Sequence, residues 1–213
     1  HINALEAFDT STPAAGWRDL PPIPGFGRQS SMAAGVGGKF YIFGGNYVNY
    51  ADAEDDNHGP HARYCGDAYV LDVETLRWKR LPDLPFSAYG MGTAVYQDRY
   101  VIMIGGLRNY LVDHPYTHMD RISKIKSPNF DVLVFDTVED TYRILPTQIP
   151  PYPLDLHFRQ HIQASDRAAY SQGVYRLSAQ LSLVGHTLYL CGGEVISPHN
   201  VTDDVVIGTI VGG

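Results

Sequence analysis

Three short β-rich runs, each ended by two glycines, decide the fold of this chain. They read KFYIFGG at residues 39–45, YVIMIGG at residues 100–106 and TLYLCGG at residues 187–193. A second β-rich run precedes each of them, at residues 31–36, 92–96 and 179–184. The residues between the paired runs are typical of turns: Gly37-Gly38, Gln97-Asp98 and Gly185-His186. Two such runs around a tight turn predict an antiparallel hairpin, so the chain contains the same hairpin three times.

A second unit recurs downstream of the glycine pairs. It reads DAYVLD then WKRLP at residues 67–82, DVLVFD then YRILP at residues 131–146, and ALEAFD then WRDLP at residues 4–21; its first half returns at residues 204–209. We interpret the acid as the start of a turn, the aromatic residue as the opening of the next strand, and the proline as its end. The aromatic ring is expected to pack between neighbouring repeats.

Hairpin and downstream unit together give four antiparallel strands in about 50 residues, which is typical of a propeller blade. We therefore predict one all-β domain over residues 1–213, a β-propeller that is partial or few-bladed, with about three to four blades visible. The predicted blades cover residues 2–20 (partial), 30–81, 89–145 and 178–210 (partial), and residues 146–177 form a long insertion. An unrelated β-sandwich would not explain aligned copies of two motifs.

The combination of glycine pair, spaced aspartate, aromatic residue and proline resembles the Kelch-repeat family. A narrower likeness, to the bacterial sialic-acid mutarotases (N-acetylneuraminate epimerases), rests on two stretches: Gly192-Gly193-Glu194 followed by Thr202-Asp203, and the order Trp17, Pro24, Arg28, Gly44-Gly45. In that family a glutamate after a glycine is thought to move the proton at the anomeric hydroxyl. The resemblance therefore implies that Glu194 is the candidate catalytic residue.

Composition narrows the classes of partner. The net charge is −7 and no basic stripe is present, so we expect no nucleic-acid ligand. No apolar run approaches the ~20 residues of a membrane helix, so no membrane insertion is expected. We recognise no metal site and no cofactor motif. Because the chain starts at His1, we expect a processed form, an excerpt or a fragment, and we expect Cys191, in an apolar run, to be buried.

Candidate binding residues come from positions that recur between repeats. Arg28 and Arg176 each lie sixteen residues before the first glycine of a pair, and the same count before Gly105 gives Tyr89. Arginine can hold a sugar-acid carboxylate with two hydrogen bonds, or it can pair with a carboxylate at the edge of its own blade. Residues just after the glycine pairs suit hydroxyl-rich ligands: Asn46, Tyr47, Arg108, Asn109 and Glu194.

Two functional classes remain open. The first is a binding module that presents its loops to a protein or carbohydrate ligand, and the second is a sugar-acid mutarotase or related carbohydrate enzyme, an isomerase. The enzyme hypothesis predicts that Arg28, Arg176 and Glu194 converge on one pocket. The binding hypothesis predicts exposed aromatic side chains on the long loops: Tyr47, Tyr50, Tyr110 and Tyr116.

Overall fold

Antiparallel β-sheets account for nearly all regular structure in the protein. The computed structural model describes residues 3–49, 61–109, 127–151, 176–196, 200–201 and 204–211. Within them lie twenty strands and one short 3₁₀ helix at Pro13–Ala15. None of the helical structure in these ranges is long and apolar enough to cross a membrane.

The chain begins with a two-stranded sheet. Its strands are β1 (Leu5–Phe8) and β2 (Trp17–Leu20), in the register Phe8 opposite Trp17. Leu5 packs onto the next sheet beside Ile23 and Trp78. This sheet therefore lies against the first full blade.

The first blade is a four-stranded sheet of order β3-β4-β7-β8, with a small two-stranded sheet, β5-β6, inserted between β4 and β7. The strands are β3 (Met32–Val36), β4 (Lys39–Phe43), β5 (Asn46–Asn49), β6 (His61–Tyr64), β7 (Ala68–Asp72) and β8 (Arg77–Arg80).

The second blade repeats this plan with the order β10-β11-β14-β15, and its inserted sheet has the order β13-β12-β9. The strands are β9 (Ser87–Tyr89), β10 (Gly92–Tyr96), β11 (Tyr100–Ile104), β12 (Leu107–Asn109), β13 (Ser127–Pro128), β14 (Asp131–Asp136) and β15 (Thr141–Gln148).

The third blade is three-stranded within the described residues, in the order β16-β17-β20, with the small sheet β18-β19 inserted. The strands are β16 (Gln180–Val184), β17 (Thr187–Cys191), β18 (Glu194–Ile196), β19 (Asn200–Val201) and β20 (Val205–Thr209).

Each blade has two ends, which we name by what they carry. The glycine-pair face carries the three glycine pairs and the inserted sheets that follow them. The hairpin face carries the tight turns after β3, β10 and β16. Backbone bonds from Gly45 N–H to the Ala88 carbonyl and from Gly106 N–H to the Arg176 carbonyl, both 2.8 Å, keep the glycine pairs of adjacent blades on one side.

Adjacent blades are also joined where their innermost strands begin. Gly90 N–H donates to the Ser30 carbonyl at 2.8 Å, and Ser178 N–H donates to the Gly90 carbonyl at 2.7 Å. Ser30, Gly90 and Ser178 hold the same place in their blades, and all three have a positive φ. The same link is thus repeated from blade to blade, as in sheets arranged around a common axis.

Apolar side chains fill the spaces between blades. Phe43 of β4 packs on Phe135 of β14, with ring centroids 5.2 Å apart, and both rings are fully buried. Leu181 and Leu190 of the third blade pack with Ile102 and Val132 of the second. The all-β propeller fold expected from the repeats is confirmed.

Three local expectations were wrong. The turn between β10 and β11 holds residues 97–99 rather than two residues, because Tyr96 pairs with Tyr100. Gln97 and Asp98 both take the left-handed conformation that this longer turn needs. Strand β15 runs past Pro146 to Gln148, since the outermost strand of a sheet does not need the N–H that proline lacks. Cys191 is exposed, because no described element covers that side of the third blade.

The aromatic residues expected between blades divide into two groups. Trp78 and Tyr142 do bridge neighbours, donating at 3.0 Å to the Pro21 and Pro82 carbonyls. Burial raises the pKa of Tyr142. Trp17 instead is 68% exposed, because no described sheet packs beyond β1-β2.

Candidate functional site

An ion pair between Arg28 and Asp67 lies at the glycine-pair face of the first blade. The guanidinium Nη1 and Nη2 atoms donate to the two carboxylate oxygens at 2.8 and 2.9 Å, and both side chains are almost wholly buried. Burial by itself lowers the pKa of Arg28, but the hydrogen bonds and charge of Asp67 outweigh this and the net direction is upward. The charge of Arg28 is therefore neutralised inside the protein.

The Arg28 guanidinium also donates hydrogen bonds to backbone carbonyls in two separate segments of the chain. Nε donates to the Phe26 carbonyl at 3.3 Å, and Nη1 donates to the Gly44 carbonyl at 3.2 Å. Gly25, at φ +84°, lets the loop bend closely around Arg28, whose Nη2 would lie 3.4 Å from any Cβ placed there. Arg28 thus ties the loop before β3 to the glycine pair after β4.

The third blade repeats this pairing. Arg176 Nη2 donates to an Asp204 oxygen at 2.9 Å, and the arginine side chain is buried. Its guanidinium lowers the pKa of Asp204. Asp204 takes the place of Asp67, because each accepts, through its carbonyl, a bond from the first glycine of its blade's pair at 3.0 Å.

The second blade has the aspartate but not the arginine at the matching position. Because its hairpin turn is one residue longer, the residue equivalent to Arg28 in the sheet register is Ala88, not Tyr89. Arg108 of β12 pairs with Asp131 instead, coming from the other side of the glycine pair. Asn129, fully buried, donates to the Gly105 carbonyl at 2.9 Å, in place of the bond from Arg28 to Gly44.

An aromatic contact next to these ion pairs differs between the first and the second blade. In the first blade Phe26 stacks on Tyr47, with centroids 5.0 Å apart and planes at 30°. The equivalent residues in the second blade are Phe86 and Arg108, with the guanidinium 5.1 Å from the ring centroid. Phe86 is buried, whereas Phe26 is 46% exposed. The first blade therefore presents an aromatic surface that the second blade encloses.

The remaining candidates lie on the inserted sheets. Asn46 is buried and pairs through its backbone with Gln29, and its side-chain oxygen has no hydrogen-bond partner among the described residues. Glu194 pairs in the same way with Leu177 and is half-buried. Tyr89 is buried, and the backbone of Asn109 pairs with Ser87.

The structure thus places the candidate residues on the glycine-pair face, but their contacts differ. Arg28, Arg108 and Arg176 each contact an aspartate of their own blade, an arrangement that the sequence analysis had raised as an alternative for Arg28 and Arg176. Phe26 was missed; its signal was its position, two residues before Arg28 in a loop that starts with Gly25. Tyr50, Tyr110 and Tyr116 lie outside the described residues. Within the described ranges, no three His, Cys, Asp or Glu side chains cluster to hold a metal.

Comparisons with known proteins agree with this architecture. A Kelch motif matches residues 27–85, which covers most of the first blade. The solved "Structure of YjhT" superposes with a TM-score of 0.66, covering 98% of this chain and 59% of that one, at 18% identity. At this identity the likeness concerns the fold.

Similar curated proteins include N-acetylneuraminate epimerases. The one from Yersinia enterocolitica is 27% identical over 113 residues, which is 53% of this chain and 27% of that protein. The one from Pasteurella multocida is 35% identical over 100 residues, 41% of this chain and 26% of that protein. The chain thus spans only about a quarter of each epimerase it matches. The protein carries a Kelch motif on a Kelch-type β-propeller fold and is similar to N-acetylneuraminate epimerases.

Proposed function

We propose that this propeller is a binding module that contacts a protein or carbohydrate ligand through its glycine-pair face. The observation that carries the proposal is the asymmetry of the two faces. All three blades extend small sheets from the glycine-pair face, whereas the turns after β3, β10 and β16 on the hairpin face span two or three residues. Ligand-contacting residues are disproportionately placed on such connections above a rigid scaffold.

The state of the arginines also favours binding over catalysis. For Arg28 to hold a ligand carboxylate, it would have to leave Asp67 and abandon a buried carboxylate without its partner. Breaking such a pair costs about 3–5 kcal/mol, more than a new surface contact returns. Arg28 is therefore better suited to holding the face in shape than to gripping a sugar acid.

A direct test is to map binding on the ¹⁵N-labelled chain by NMR. Titration with a glycan library and with display-selected peptides should shift amides of the glycine-pair face, such as Gln29 and Leu177. Lys39→Ala, on the exposed hairpin face, serves as the control and should leave affinity unchanged. Shifts confined to the hairpin turns would refute the proposal.

The alternative function is that of a sugar-acid mutarotase. Two observations favour it: the similarity to N-acetylneuraminate epimerases, and Gly193-Glu194, the single Gly-Glu pair of the sequence. If the alternative holds, the protein speeds interconversion of the anomers of N-acetylneuraminic acid in an NMR exchange experiment, and Glu194→Gln abolishes the effect. Exchange at the uncatalysed rate would rule this activity out.

A further inference from the structure

The side of the third blade that faces away from the second blade carries exposed apolar residues. Val205 and Ile207 of β20 are 49% and 63% exposed. In the sheet register they correspond to Ala68 and Val70 of β7. Those two residues are buried, because the second blade packs over them. This open side of the third blade is therefore one half of a blade-to-blade contact, and no described residue supplies the other half.

The N-terminal sheet β1-β2 exposes the complementary half of such a contact. Phe8 and Trp17 are a cross-strand pair, with ring centroids 5.3 Å apart and planes at 43°. In the second blade the corresponding cross-strand pair is Phe135 with Tyr142, 4.8 Å apart at 47°. Both rings of that pair pack on Phe43 of the first blade, at 5.2 and 6.4 Å between centroids. The aromatic side of the N-terminal sheet thus has the arrangement with which a blade contacts its preceding neighbour.

The open side of the third blade and the aromatic side of the N-terminal sheet also match in size. Cys191 holds in β17 the place that Phe43 holds in β4, and it is exposed. The smaller Cys191 leaves room for Trp17, whose ring is larger than that of the corresponding Tyr142. The two sides lie at opposite ends of the row of blades, so each copy of the chain carries one of each. Covering both removes exposed apolar surface from water.

We infer that the open side of the third blade binds the aromatic side of the N-terminal sheet of a second copy, so that two copies meet as neighbouring blades do within one chain. A contact of this head-to-tail kind joins two different surfaces, and it builds either a closed ring or a longer row of copies. The contact involves the flat sides of the blades. It is therefore independent of the binding proposed for the glycine-pair face.

Analytical ultracentrifugation of the chain over a range of concentrations measures this association. Trp17→Lys and Ile207→Lys should each weaken it about tenfold or more, because either substitution places a charge inside an apolar contact. Both side chains are mostly exposed in the single chain, so neither substitution should unfold it, and thermal midpoints check this. Val138→Lys is the matched control. Val138 is 66% exposed but belongs to neither side, so the association should stay unchanged.

A mixture of the two lysine variants tests whether the contact is head-to-tail. The Trp17→Lys variant keeps an intact third blade, and the Ile207→Lys variant keeps an intact N-terminal sheet. One contact between unlike copies can therefore still form, and the mixture should contain pairs of one copy of each variant and nothing larger. A contact in which one surface meets the same surface of its partner would not be restored by mixing.

Three outcomes would overturn the inference. A chain that stays monomeric at every concentration would show that a sheet other than that of a second copy covers the two sides. Association of either lysine variant with the strength of the unsubstituted chain would place the contact elsewhere. A mixture that forms no pairs would exclude the head-to-tail arrangement. Ligand binding at the glycine-pair face is measured separately by NMR, so the failure of this inference leaves the proposed function standing.

Discussion

Removing the Arg28 side chain is expected to lower the free energy of unfolding, and the structure allows the size of this loss to be worked out most directly. In Arg28→Met the carboxylate of Asp67 stays buried, since the pair is exposed by 1% and 5% of its side-chain surfaces, and it loses both guanidinium hydrogen bonds. Leaving one partner of a buried ion pair uncompensated costs about 3–5 kcal/mol. Against a typical total stability of about 5–15 kcal/mol, this is a large loss.

The hairpin face supplies the matched control. Arg99 bonds Asp136 at 2.6 and 2.8 Å, a geometry as good as that of Arg28, but its side chain is 36% exposed. Solvent screens such a pair, so Arg99→Met should destabilise the protein far less than Arg28→Met does. The two ion pairs have similar hydrogen-bond lengths, so the expected difference in stability comes from their different burial.

Urea unfolding followed by circular dichroism measures both losses on the same scale. The double variant Arg28→Met with Asp67→Leu should recover at least half of the loss, because no charge is then left buried without a partner. If Arg28→Met and Arg99→Met destabilise equally, or if the double variant is no better than the single one, the structural role assigned to Arg28 is wrong.

Three further predictions concern other parts of the chain. A Cβ at Gly44 would lie 2.4 Å from the Ala88 carbonyl oxygen, whereas one at Gly38 meets nothing within 4 Å, so Gly44→Ala should destabilise far more than Gly38→Ala in thermal unfolding; equal effects would contradict the close approach of the blades. Hydrogen bonding to Arg99 lowers the pKa of Asp136 from its usual 3.8 to about 2. That carboxylate therefore stabilises the fold above about pH 4 and loses its effect as pH falls toward 2, and Asp136→Asn should flatten this part of the stability–pH curve by about 1 kcal/mol. Burial raises the pKa of the Cys65 thiol to about 11, so iodoacetamide at pH 8 should alkylate exposed Cys191 first by mass spectrometry, and faster labelling of Cys65 would contradict its burial.

The repeats made most of the fold predictable. Each motif is local, and the glycine pair follows the second strand of the inner hairpin in all three blades. The failures came where a residue's environment depends on what lies beside its sheet. Trp17 and Cys191 have the sequence context of buried residues, but no described element covers them.

The candidate site was only partly predictable, for a related reason. Counting sixteen residues back from Gly105 gave Tyr89 as the equivalent of Arg28. The turn at residues 97–99 is one residue longer than in the first blade, so the count was wrong by one position. The replacement of that arginine by Arg108 depends on two segments that meet only in the folded sheet. Sequence spacing predicts equivalent positions along one strand. A contact between side chains on different strands can be predicted only when the register of those strands is known.

The central structural claim is that equivalent points of successive blades are joined near a common axis. A through-hydrogen-bond NMR coupling experiment tests it directly, since it detects the bond between an amide nitrogen and a carbonyl carbon. We predict cross-peaks from the Gly90 amide to the Ser30 carbonyl and from the Ser178 amide to the Gly90 carbonyl, whose N···O distances are 2.8 and 2.7 Å. If both are absent while couplings within the sheets, such as those between β10 and β11, are seen, the blades are not arranged as described.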